Sequence, residues 1–301
     1  MKRLTCVLLV LMLLLCGCGG PAAAAPAEYD LAPVLEANQV ESLVAQYDNY
    51  IVNCQYPDGT TVDLYMDRDS YFSTDGVTSY LFTPEEQCVV STEPGMEYFD
   101  RYLNLFGEDM AAQWRMDAGM GAESQYEKVV SWEETDGVAR IGTELEPEYW
   151  SEDLAQMGYV GEDGDVYICE YEVESETNRI LRSNEYIRRK DGTVEPLGVV
   201  TFAVNGEKPE QMQVIIDEAK AIDALPGNQT RTVTCVVDPG STEERTLSKT
   251  VLLGSYVMLP ENMNGYALFL DAEGTEPVSG LLEDVFQDSF TVYALQKADA
   301  T

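Results

Sequence analysis

Between Tyr50 and Met66 the apolar residues alternate with polar ones. Tyr50, Val52, Cys54 and Tyr56 precede Pro57-Asp58-Gly59, and Val62, Leu64 and Met66 follow it. A period of two puts one face of an extended chain into a core, and Asp-Gly supplies the positive φ of a tight hairpin turn, so this stretch predicts two antiparallel strands. The pattern recurs around Tyr71, at Tyr80–Phe82, Cys88–Val90, Lys128–Trp132 and Val138–Thr143. It returns at Asp165–Val173, Asn178–Arg189 and Gly198–Asn205, the last two joined through Lys190-Asp191-Gly192. Hairpins in this number demand an α+β fold with a mostly antiparallel sheet.

Helical spacing interrupts the strands at three places. Val34, Leu35, Val40, Leu43, Val44 and Tyr47 recur at intervals of three and four, predicting a helix at the start of the folded part. A short helix is expected from Pro147 to Met157, with proline in its first turn. A third carries Met212, Ile215, Ile216, Ala219 and Ile222 and stops at Pro226-Gly227. Beyond that stop the pattern is all strand: Thr232–Val237, Leu247–Leu253, Tyr266–Leu270 and Phe290–Leu295. The expected division is therefore 34–226, a small all-strand module at 231–296 and a tail at 297–301, with 228–301 expected to fold cooperatively on its own.

The N-terminus reads as an export signal. Lys2 and Arg3 precede an apolar run from Val7 to Leu15, shorter than the ~20 residues that a bilayer-spanning helix needs. Leu15, Gly17 and Cys18 then match the lipobox of bacterial lipoproteins, in which the cysteine thiol receives a diacylglycerol and the chain is cut just before it. Residues 1–17 are the expected signal peptide, Cys18 the lipidation site, and 18–33 an Ala/Pro/Gly-rich tether. Cys16 is the poorer acceptor, following bulky Leu15; the alternative is an ordinary secretory signal cut within Pro21–Ala27. Either way the protein is expected outside the cytoplasm; with the lipid on Cys18 it is held to the membrane, on the outer face of a Gram-positive cell.

Composition excludes much chemistry. The formal net charge is −36, which removes nucleic acid as a partner, because a polyanion binder needs a basic face. The Arg188-Arg189-Lys190 cluster reads as a solvated strand end. The chain contains no histidine, so neither a Ser-His or Cys-His nucleophile nor a His-ligated metal is possible. Cys54, Cys88, Cys169 and Cys235 form no CxxC pair and fall in phase with apolar neighbours, as small buried hydrophobes. Export permits disulfides, and Cys54–Cys88 is the pair to test first. Gly119-Met120-Gly121 lacks the rest of a nucleotide loop and reads as an ordinary loop. Asp67 with Asp69, and the run Glu162-Asp163-Gly164-Asp165, begin like calcium loops but lack the closing ligands. No cofactor and no metal is expected.

Two phrases, "VLEANQVESLVAQYDN" and "YICEYEVESETNRILRSNEYIRRKDGTVEP", resemble exported lipoproteins with the half-barrel fold of the LolA and LppX type. The resemblance spans residues 34 to about 224. It implies a curved antiparallel sheet wrapped around helices and, in the true carriers, an apolar cavity between them for acyl chains. The C-terminal "TVTCVVDPG", "TVLLGSYVMLP", "GYALFLDAEGTEPV" and "FTVYAL" are similar to internalin-type (Listeria–Bacteroides) repeats. These are small β-grasp-like surface modules, although Leu268-Phe269-Leu270 here runs to Asp271 without the usual tryptophan.

The resulting expectation is a lipid-anchored, non-enzymatic envelope protein. It would bind or carry a lipid or other apolar ligand, or contact an envelope protein or glycan. The expected cavity lining is Val40, Leu43, Val44 and Tyr47 from the first helix, facing Tyr50, Val52, Val62 and Leu64 of the first strands. Aromatics and methionines suited to such a lining would equally fill a closed core. The alternative from another class is a carboxylate-based envelope enzyme such as a glycosidase.

Overall fold

The computed structural model describes residues 29–105, 107, 109–117, 126–155, 159–259, 265–278 and 288–296. The expected signal peptide and lipidation site Cys18, most of the expected tether, Gly119–Gly121, Met157 and residues 297–301 lie outside these residues. No described helix is long and apolar enough to cross a membrane.

Helices α1 (Ala32–Ala37) and α2 (Val40–Gln46) lead into strands β1 (Tyr50–Gln55) to β6 (Tyr98–Tyr102). Helix α3 (Met110–Asp117) follows, then β7 (Lys128–Thr135), β8 (Val138–Leu145) and helix α4 (Pro147–Ala155). Three long strands, β9 (Val166–Glu174), β10 (Arg179–Arg188) and β11 (Val194–Val204), end in helix α5 (Glu210–Asp223). The C-terminal part holds β12 (Thr230–Val237), β13 (Arg245–Leu252), β14 (Val257–Met258), β15 (Tyr266–Phe269) and β16 (Phe290–Gln296).

One sheet of twelve strands runs in the order β14-β6-β5-β4-β3-β2-β1-β11-β10-β9-β8-β7, antiparallel except at β14–β6. The two hairpin series meet where β11 returns beside β1, pairing Val52 with Phe202 and Cys54 with Val200. Gly59 takes a φ of +92° in the first hairpin turn, while Asp58 Oδ1 accepts from the Thr60 amide at 2.8 Å. The Asp-Gly signal works as anticipated.

Apolar residues divide the sheet into two faces. On one, Val40, Leu43 and Val44 of α2 and Ala111 of α3 pack against Tyr50, Val52, Met66, Tyr71 and Phe82, and Leu31 and Val34 pack against Ile141, Cys169, Tyr171 and Val173. On the other, Met212, Ile215, Ile216, Ala219 and Ile222 of α5 cover Tyr65, Phe72, Leu81, Cys88, Val90 and Phe99. The single opening helix expected from Val34 to Tyr47 is two helices. Buried Asn38 breaks it, donating to Val34 O and Asn178 O and accepting from the Ile180 amide at 2.9 Å. A side chain that anchors the break to the β9–β10 turn outweighs continuous apolar spacing.

The four cysteines are free thiols. The expected Cys54–Cys88 disulfide does not form. Cys54 belongs to the α2-side cluster and Cys88 to the α5-side cluster, and the strands between them put them roughly 19 Å apart, beyond the ~7 Å Cα limit of a disulfide.

The C-terminal strands form a second sheet, β13-β12-β16-β15, with β12 and β16 parallel at its centre. Its core of Val233, Cys235, Val237, Val251, Val292 and Ala294 also takes in Leu103 and Leu105 from just after β6. The seam is extensive. Strand β14 pairs with β6, and Arg101, 3% exposed, reaches Asp223 at 2.5 Å, Thr250 O at 2.8 Å and buried Glu86. Lys249 bonds the same Glu86 at 2.9 Å.

Candidate functional site

The helix-facing surface of the sheet is apolar along most of its rows, with one exception. Cross-strand register defines the rows. Leu145, Tyr167 and Ile187 form one. Thr143, Cys169, Glu185 and Gly198 form the next. The third is Ile141, Tyr171, Ser183, Val200, Cys54 and Val62. Directly opposed residues share a face, so Thr143, Ser183 and Glu185 stand on the surface that carries Cys169 and Tyr171 into the core. A polar belt thus crosses the inner face between two apolar zones.

The local cause is a bulge. Pairing of β10 with β9 slips between Ile180 and Arg182, and a second irregularity against β11 follows at Glu185 and Tyr186. The extra residue changes the phase of the strand, so that Ile180, Ser183 and Ile187 are all buried although alternation from Ile180 would turn residues 183 and 187 outward. Without that slip Glu185 would face solvent.

Hydrogen bonds organise the belt. Ser183 Oγ donates to Glu185 Oε1 at 3.0 Å. Tyr171 donates its phenol proton to Glu127 Oε1 at 2.8 Å, and the Thr143 hydroxyl donates to the other oxygen of Glu127. Desolvation raises the Glu185 carboxyl above its ordinary range, opposed by bonds with Ser183 and Tyr167. Burial, then the Glu185 and Asp63 charges, push the Cys54 thiol up to about 11. Burial leads in raising Tyr167, Cys169 and Tyr171 too, with Glu127 and nearby ionisable groups adding to it. Yet Cys54, Val62, Tyr167, Glu185 and Val200 each keep intermediate exposure. These groups are therefore desolvated yet not sealed from water.

The expected cavity residues divide between two environments. Val40, Leu43, Val44, Tyr50 and Val52 are buried together, with Tyr47 and Leu64 packed against them. Trp114 of α3 closes over this end, 5.1 Å from Phe82 and 5.3 Å from Tyr80 by ring centroid. Val62 instead lies in the Cys54–Val200 row of the belt.

On the opposite face a groove of about 450 Å³ is lined by Ser131, Glu133, Arg140, Gly142, Glu170 and Glu172. Arg140 pairs with Glu172 at 3.3 Å and Glu133 at 3.8 Å, and Tyr186 donates to Glu170 at 2.9 Å, so its charges are engaged. The weak calcium loops hold no cluster of metal-binding side chains among the described residues. Asp165 instead pairs with Arg189 at 2.7 Å and accepts from the Glu162 and Lys190 amides. Arg189 also holds Glu195, and Arg188 holds Glu144, so the basic cluster is an ion-paired strand end.

No family model matches the chain, and no curated protein matches it. Among solved structures it is similar to MucB in complex with MucA(peri), at 10% identity and a TM-score of 0.30, covering 60% of this chain and 58% of that one. LprF from Mycobacterium bovis is similar at 10% identity and a TM-score of 0.30, over 60% of this chain and 97% of that one. The Pseudomonas aeruginosa MucA/MucB complex is similar at 10% identity and a TM-score of 0.29, over 72% of each chain. The chain spans little more than half the length of the first of these, and its architecture is defined by its own strand order: an α+β fold dominated by one large antiparallel sheet.

Proposed function

We propose that this is a non-enzymatic envelope protein of LolA/LppX-like type, anchored through a diacylglycerol on Cys18, whose inner recess binds an amphiphilic ligand. The observation that carries the reading is the polar belt itself: hydroxyls and carboxylates on an otherwise apolar, helix-covered sheet face. Natural sequences break their own burial pattern chiefly at functional sites. Cys54, Val62 and Val200 offer apolar wall beside the belt, and the belt offers hydrogen bonds to a head group. Burying on the order of 300 Å² of acyl chain would contribute several kcal/mol before ordering costs. The internalin-like C-terminal unit would serve as a rigid surface extension.

The test uses the full mature chain. Lipid extracted with the purified protein is identified by mass spectrometry, and alkylation of Cys54 is followed with and without a long-chain amphiphile. Binding slows that alkylation. A folded protein with no co-purified lipid and unchanged Cys54 labelling refutes the reading. A second reading, a carboxylate-based hydrolase, draws on Glu127 and Glu185 sharing one recess; turnover of aryl glycosides, lost in Glu185→Gln, would favour it.

A further inference from the structure

The junction where the two hairpin series meet carries a dipeptide with chemistry of its own. Asn205-Gly206 follows β11 and opens the link to α5. The fold favours both residues. Asn205 stands at a φ of 56°, in the left-handed region that asparagine tolerates better than most side chains. A Cβ at Gly206 would run into Ile51 Cδ1, so glycine lets the chain pass close to β1 without displacing that side chain. Asn-Gly is also the pair in which an asparagine side chain is most readily attacked by the next backbone nitrogen, because glycine leaves the approach open. The Gly206 nitrogen would bond to Asn205 Cγ, its proton leaving with the side-chain nitrogen as ammonia, and a succinimide ring would remain. Water then opens that ring at either carbonyl, giving aspartate or isoaspartate.

Both reacting groups are held. Asn49, 6% exposed, grips Gly206 twice: its Oδ1 accepts from the Gly206 amide at 2.9 Å, and its Nδ2 donates to Gly206 O at 2.9 Å. The Asn205 amide donates to Asn49 O at 3.2 Å, and Asn205 Oδ1 accepts from the Asp48 amide at 2.9 Å. Ring closure needs nitrogen and Cγ to meet with their orbitals aligned, and these bonds oppose the rotation that would bring them together. The Asp48 amide fixes the Asn205 side chain but also polarises its carbonyl toward attack. Restraint therefore rests on Asn49. Asn205 and Gly206 are themselves exposed, so base and water reach them.

We propose that Asn205-Gly206 is a latent self-modification site, kept as asparagine by the Asn49 clamp. When the clamp opens, the ring forms, and isoaspartate then lengthens the main chain by one methylene just past the Tyr50–Val204 pairing of β1 with β11. The change falls between the strand that closes the large sheet and the helix that covers its other face.

The experiment incubates the full mature chain in mildly alkaline buffer, either folded or unfolded in urea. Peptide mapping by mass spectrometry follows aspartate and isoaspartate at position 205, separately from the chain's other Asn-Gly pair, Asn264-Gly265. Folded wild type is expected to react at least about tenfold more slowly than the unfolded chain, and Asn49→Ala at least about tenfold faster than folded wild type. Trp114→Ala loosens a different part of the core and controls for general destabilisation; its rate should stay within about threefold of wild type. Folded wild type reacting as fast as the unfolded chain, or Asn49→Ala reacting no faster than Trp114→Ala, overturns the proposal. If Asn49→Ala does not fold, hydrogen exchange at the Gly206 amide of wild type decides: protection like that of the strand amides supports the clamp, and rapid exchange overturns it.

Discussion

Ser183 and Glu185 stand two residues apart on β10 and face the helices together, the hydroxyl donating to the carboxylate at 3.0 Å. They do so because the pairing of β10 slips just before them. A single residue of register thus decides whether this carboxylate meets water or the core.

Glu185→Gln tests the cost of that placement. Its folded pKa is raised above the ordinary 4.5 by desolvation, so the native state is penalised once pH exceeds the unfolded value, fully so above the folded one. The variant is expected to melt at a higher temperature than wild type at pH 7–8. The difference should vanish below about pH 4.5, and thermal denaturation followed across pH checks it.

Asp165 behaves in the opposite sense. Bonding to Arg189 leads the effects that hold its carboxyl below the usual range, so its contribution is present above the unfolded pKa and is lost as pH falls through the folded one. Asp165→Asn should lower the melting temperature at neutral pH and lose its effect in strong acid.

Arg101→Met leaves Glu86, only 4% exposed, without its nearest cation. The expected loss is about 3–5 kcal/mol in denaturant unfolding, and adding Glu86→Gln should recover a large part of it.

Trp114→Ala removes the ring that packs on Phe82, Tyr80 and Tyr71. A loss of about 3 kcal/mol and a weaker near-ultraviolet circular dichroism signal are expected.

Much of the fold was readable because period-two alternation is a direct imprint of a half-buried strand. The hairpin at Asp58-Gly59 and the long strands β9 to β11 follow from it, and helix α5 from the three-and-four spacing of Met212, Ile215, Ile216, Ala219 and Ile222. Strand β6 escaped because Asp100 and Arg101 occupy its middle, and buried Arg101 looks like a solvent-facing residue until Glu86 and Asp223 are beside it. Helix α3 has weak apolar spacing and is held instead by Arg115, which bonds Glu41 and the carbonyls of Asp67 and Arg68. The polar belt was invisible for a sharper reason: no local signal marks the bulge, so Glu185 could not be told from many other surface acids. Val62 pairs with Cys54 through the predicted hairpin, but the continuation of that row to Val200 and Ser183 depends on β11 returning beside β1.

The insertion of Leu103 and Leu105 into the C-terminal core sets an order of events during synthesis. Both leucines, and the β6 edge beside them, emerge long before Val233, Val251, Val292 and strand β14. Until the last part of the chain arrives, the N-terminal unit carries an exposed apolar patch and an unpaired strand edge, the features that recruit chaperones or seed association. Completion of the large sheet therefore waits for β14, and burial of Leu103 and Leu105 for β12 and β16, so a chain that stops before them keeps an adhesive surface open.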